Sequence, residues 1–105
     1  MNKKELKERL WDAVDEYEEL LRHIGTTLYE HPETGKNEYK AAAELKNILS
    51  RQGFTVTNPV EECFPTAFEA VKGSGAVHIG FLAEYDALPE LGHACGHNLI
   101  AAMST

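Results

Sequence analysis

The chain has 105 residues, and 17 acidic against 10 basic side chains give it a formal net charge of −7. That balance argues against nucleic acid as a partner and against docking on an anionic membrane, and no apolar run approaches the ~20 residues that span a bilayer. A hydrophobic content of 43% with 26% charged residues fits one small globular domain.

The first residues, "MNKKELKERLWDAVDEYEEL", lack the apolar core of a signal peptide, so the expected location is cytoplasmic. Residues 3–30 are predicted as one long amphipathic helix. Leu6, Leu10, Val14, Tyr17, Leu21, Ile24 and Leu28 recur at steps of three or four and form a single stripe. His23, beside that stripe, reads as a structural or solvated side chain. "EHPETGKNE" ends the helix, because Pro32 disfavours helical geometry at His31 and Gly35 supplies a turn. Asn37 is the expected cap of a second helix, with Glu38 in its first turn and Ala41, Ala42, Leu45, Ile48 and Leu49 as its apolar face. Gly53 stands where a left-handed residue closes such a helix.

"FTVTNPV" reads as a short strand with Phe54 and Val56 on one face. "TAFEAVK" and "AVHIGFLA" read as two further strands joined by "GSG" into a hairpin. The second, residues 76–83, is almost wholly apolar, which predicts a strand buried on both faces at the centre of an α/β sheet. His78 falls inside it as a buried or edge histidine. "NLIAAMST" opens a last helix with Asn98 as its cap. The order helix, helix, three strands, loop, helix is the opening of a layered α/β domain, and an unfinished one: the last helix is about two turns long and the apolar strand lacks a second neighbour.

Between the apolar run and the last helix lies "AEYDALPELGHACGHN", residues 83–98. In open α/β sheets, sites form where strands end. Cys95 and His97 can converge on one ion from a loop that Gly92 and Gly96 allow to bend sharply, and thiolate and imidazole are both zinc donors. His93 is a possible third donor. Asp86 can ligate directly or hold a histidine in place; Glu84 is harder to place. The plainer readings stand beside these. A single Cys-x-His is a weak metal signature, Asp86 can be the cap of a tight turn, and Cys63 reads as an inert thiol. Without a Cys-x-x-Cys pair, a redox role for Cys63 and Cys95 has little support.

"AEYDALPELGHACGHNLIAA" resembles the first metal-binding region of the dinuclear-metal amidohydrolases related to aminoacylases and metallo-carboxypeptidases. The nearest branch contains N-acyl-amino-acid amidohydrolases, hippurate hydrolases and p-aminobenzoyl-glutamate hydrolases. Asp86-Ala87-Leu88-Pro89 and His93-Ala94-Cys95-Gly96-His97 match the family's two elements in order and spacing. "YEHPETGKNEYKAAAELKNILSRQGFTV" is similar to its opening helices, so the likeness runs from about Leu20 onward. Where many members continue with Asp-Gly-His, this chain has Asn98-Leu99-Ile100.

The resemblance implies the N-terminal part of a three-layer α/β zinc-peptidase-like catalytic domain, incomplete in residues 1–105. It implies two divalent metal ions, zinc or manganese, with Cys95 and His97 as ligands and Asp86 supporting them. It implies metal-assisted hydrolysis of the amide bond of N-acyl amino acids or small dipeptides, in which a glutamate further along moves the proton. A homodimer built through a second domain is implied for the complete enzyme. The alternative is a non-catalytic product that binds a partner, or one metal weakly.

Overall fold

The computed structural model describes all 105 residues. The chain forms four helices and one short β-ladder: α1 (Lys3–Glu16), α2 (Glu18–Glu30), α3 (Tyr39–Arg51), β1 (Thr55–Thr57), β2 (Glu69–Val71) and α4 (His97–Ser104). No helix is long and apolar enough to cross a membrane.

The stretch expected as one helix is two, divided at Tyr17, whose φ of −94° and ψ of 8° leave the helical region. α1 starts on a capping box: the Asn2 side chain accepts the Glu5 N–H, and the Glu5 carboxylate accepts the Asn2 N–H, both at 3.0 Å. Yet α1 buries none of its residues. Leu6, Leu10, Val14 and Tyr17 are all exposed, and only Ile24 and Leu28 of the predicted stripe are buried. The periodicity was sufficient to make helix, but only the second half of the stripe meets a partner to pack against.

That partner is the core. Ile24 and Leu28 of α2 pack with Ala41, Leu45 and Ile48 of α3 and with Ala101 and Ala102 of α4, and Leu20, Phe68 and Tyr85 close its edges. All five apolar residues expected on the α3 face are buried. Small residues on α4 bring its backbone close to α2, where the Asn98 side chain donates to the Gly25 carbonyl at 3.0 Å. His23 is exposed and faces Glu44 of α3 at 2.7 Å, the surface role expected of it.

Two caps differ from expectation. α3 begins one residue later, with Glu38 rather than Asn37 at the N-cap and no capping bond from that residue's own side chain. Its first N–H groups go instead to Glu33, whose carboxylate accepts from Lys40 at 3.1 Å and Ala41 at 2.7 Å. α4 begins at His97, with Gly96 at its N-cap in the left-handed region (φ 76°, ψ 21°), so Asn98 lies inside the helix. Gly53 adopts the expected positive φ, 88°.

The strands carry the largest correction. β1 pairs antiparallel with β2 in the register Thr55↔Val71, Val56↔Ala70 and Thr57↔Glu69. The hairpin predicted between 66–72 and 76–83 is absent, and residues 76–83 form no strand. His78 is accordingly exposed, and so are Val77, Ile79, Phe81 and Leu82. An apolar run asks for burial, but a neighbouring strand must provide it, and the only other strands are engaged with each other. The mixed α/β character holds; four helices and one two-stranded sheet are what this chain shows of it.

Candidate metal centre

Segment 83–98 has no sheet to carry it, so loop contacts hold it. The Ala87 N–H donates to the Glu33 carbonyl at 2.7 Å, and Thr34 and Ala87 form an isolated parallel bridge. Leu88 and Gly92 exchange two backbone bonds, at 2.9 and 3.1 Å, which close the "DALPELG" turn. Two residues upstream of Ala87, the Tyr85 hydroxyl donates to the Thr66 carbonyl, and the Thr66 hydroxyl donates to the Glu38 carboxylate. The other Glu38 oxygen accepts the Lys36 N–H at 2.7 Å. Glu38 and Thr66 are both buried, so this polar chain is satisfied internally. Burial first, and the Glu38 charge second, push the Tyr85 phenol up to about 12.

This bracing sets Asp86 against the start of α4. His97 Nδ1 lies 2.8 Å from Asp86 Oδ1 and 3.1 Å from the Asp86 carbonyl. Two acceptors on one nitrogen fix the proton there and leave Nε2 as the nitrogen that varies. Nε2 faces Glu84, whose Oε2 is 3.2 Å away. The Asp86 hydrogen bond is the main influence that holds His97 above the ordinary imidazole range; partial burial opposes it, and the charges of Asp86 and Glu84 add to it. A ring gripped by one carboxylate and faced by another favours a positive charge at Nε2.

His93 is buried, and its Nδ1 has no hydrogen-bond partner. Burial, followed by repulsion from His97, holds it below the ordinary range against the pull of Asp86 and the Leu28 backbone. Cys95 is a free, exposed thiol, as is Cys63. A cleft of about 290 Å³ opens beside the site, with Lys36, Phe64 and Thr66 on one wall and Glu84, Tyr85 and Asp86 on the other.

The structure therefore joins Asp86 to His97 and adds Glu84, which the sequence reading left unplaced. It gathers no group of three His, Cys, Asp or Glu side chains in a geometry that could hold a metal ion. As donor types, an oriented imidazole and an accessible thiol suit zinc. Glu33, Glu38 and Tyr85 were missed as supports. Glu33 acts seven and eight residues from the N–H groups it caps, outside the three-residue spacing of a capping box.

No family model matches the chain. Curated relatives do. It is 39% identical over 105 aligned residues to Xaa-Arg dipeptidase of Mus musculus, an alignment covering 91% of this chain and 24% of that protein. It is 37% identical over 108 to Xaa-Arg dipeptidase of Homo sapiens, covering 91% and 25%. It is 36% identical over 106 to a p-aminobenzoyl-glutamate hydrolase subunit of Escherichia coli, covering 85% and 22%. These likenesses, over 85–91% of the chain, support the amidohydrolase and peptidase family for it. It spans about a quarter of the length of the relatives it matches. All three are named as hydrolases, so at the level of the family the chain is related to enzymes that cleave dipeptides or aminobenzoyl-glutamate.

Proposed function

We propose that residues 1–105 form one portion of the catalytic domain of a metal-dependent amidohydrolase acting on N-acyl amino acids or small dipeptides. In this reading the domain is a three-layer α/β unit of the zinc-peptidase type, and the complete enzyme is a homodimer. Cys95 and His97 are two of the ligands of a site for two divalent ions, zinc or manganese. Asp86 orients His97 and raises its basicity.

The observation that carries the reading is the 2.8 Å contact of Asp86 with His97 Nδ1. A histidine destined to donate through Nε2 needs its other nitrogen bonded so that ring and tautomer are fixed. When bound, divalent ions supply Lewis acidity that polarises the amide carbonyl and makes water a stronger acid. This chain's residues contribute the rest of what is local. Asp86 keeps the Nδ1 proton, Glu84 adds negative charge beside Nε2, and the Glu38–Thr66–Tyr85 chain holds the segment that carries both acids.

The test uses the native gene product that carries this chain, assayed on Xaa-Arg dipeptides and on p-aminobenzoyl-glutamate. Hydrolysis that disappears on chelation, returns with zinc or manganese, and is abolished by Cys95→Ser supports the assignment. Full activity in chelator or in Cys95→Ser would sink it. A second reading is a non-catalytic module that binds one metal weakly through Cys95 and His97. Metal binding without hydrolysis in the same assay selects it.

A further inference from the structure

α4 buries three residues, Asn98, Ala101 and Ala102. They stand at i, i+3 and i+4, which is one stripe of a helix. Apolar burial is non-directional, so the two alanine methyl groups let α4 come close to α2 without choosing its rotation. Asn98 supplies the direction. Its amide donates to the Gly25 carbonyl at 3.0 Å from a position only 7% exposed, and this is the one hydrogen bond between the two helices. No side chain caps the start of α4, where Gly96 stands. The first turn is held instead through its two leading side chains. Neighbouring residues of a helix project about 100° apart. His97 accordingly reaches Asp86 while Asn98 reaches α2.

We propose that Asn98 is a positioning residue for the site: its amide on the Gly25 carbonyl sets the rotation of α4 at which His97 Nδ1 meets Asp86. An aspartate at 98 could not take this part. A carboxylate has no hydrogen to give the carbonyl, and it would hold a charge in a buried position with oxygen facing oxygen. Donor, acceptor and both helices lie within this chain, and the contact is already closed to solvent, so it needs no further segment or partner to complete it. The consequence for zinc rests on the reading of His97 as a ligand; the placement of His97 on Asp86 does not.

The test uses the native gene product that carries this chain. In the metal-free protein, the His97 Nδ1–H should appear in nuclear magnetic resonance spectra as a hydrogen-bonded ring proton, identified by its loss in Asp86→Ala. Asn98→Ala should speed its exchange with solvent by at least about tenfold, and Asn98→Asp by more. Ala101→Gly loosens the same helix without touching the amide; for a similar drop in melting temperature it should speed the exchange less than Asn98→Ala does. With zinc added, Asn98→Ala should weaken affinity by about 10–100-fold. Combined with Asp86→Ala, the two losses should not add, because both act through the orientation of His97. Exchange unchanged in Asn98→Ala, or no faster than in Ala101→Gly, would overturn the proposal, and so would additive losses of zinc affinity. Zinc affinity indifferent to Cys95→Ser and His97→Ala would end the metal reading instead, and the proton exchange in the metal-free protein would then decide for or against the role of Asn98.

Discussion

The backbone carbonyl of Glu33 accepts the N–H of Ala87 at 2.7 Å, one residue beyond Asp86. The same residue's carboxylate closes the first turn of α3. One side chain and its own carbonyl thus tie the main helix of the core to the segment that carries the site. The His-Pro-Glu stretch, which reads in the sequence as a helix breaker, is a clasp between them.

Removing the clasp should cost stability. Glu33→Ala leaves the Lys40 and Ala41 N–H groups without their acceptor, and loss of a comparable cap costs about 0.5–2 kcal/mol. Glu33→Gln retains an acceptor oxygen and should lose less. Urea denaturation of the two variants measures the difference; equal and negligible losses would mean that water replaces the carboxylate.

Asp86→Ala should weaken metal binding by about 10–100-fold, the usual effect of deleting the partner that orients a ligating histidine. Competition against a zinc-chelating dye reads this directly. Cys95→Ser and His97→Ala should reduce affinity further. Unchanged affinity in Asp86→Ala would make Asp86 a turn residue only.

The core should respond unevenly along the predicted stripe. Leu45 is fully buried, and Leu45→Ala should cost about 2–5 kcal/mol. Leu10 is 56% exposed, and Leu10→Ala should stay within about 0.5 kcal/mol. Thermal or urea melts compare them. A large loss at Leu10 would show that α1 packs on something in solution.

Tyr85 predicts an alkaline dependence. Its phenol is raised from 10.0 to about 12, so folding favours the neutral form. The stability this contributes is fully present below pH 10 and is lost as the pH rises through 12. In a spectrophotometric titration, one tyrosine component should be centred near 12, and Tyr85→Phe should remove it. Persistence of that component in Tyr85→Phe would assign it elsewhere.

What the sequence disclosed follows the range of the interactions involved. The α3 face was legible because Ala41, Leu45 and Ile48 need only the helical period and a core to face. Gly53 was legible because a left-handed closing residue is a local requirement. The caps were displaced by one position at α3, where the acceptor is Glu33 in another turn, and by two at α4, where the cap is Gly96. The apolar run at 76–83 misled because its composition describes an environment, and that environment depends on strands that the composition cannot supply. At the site, Cys95, His97 and Asp86 stood out by donor chemistry and by motif likeness, and of these the structure joins Asp86 to His97. The Glu38–Thr66–Tyr85 chain has no motif: its members are 28 and 19 residues apart, and only the fold brings them together.

Gly96 separates the two residues proposed as donors, and its φ of 76° lies where L-amino acids are strained. A Cβ built there would meet nothing within 4 Å. Handedness, and not room, therefore excludes a side chain from the middle of Cys-Gly-His. A D-alanine introduced at 96 by chemical ligation has mirror-image preferences. It would enter the bend without strain and restrict the unfolded chain, locking the approach of Cys95 to α4 where an L-alanine would spring it open.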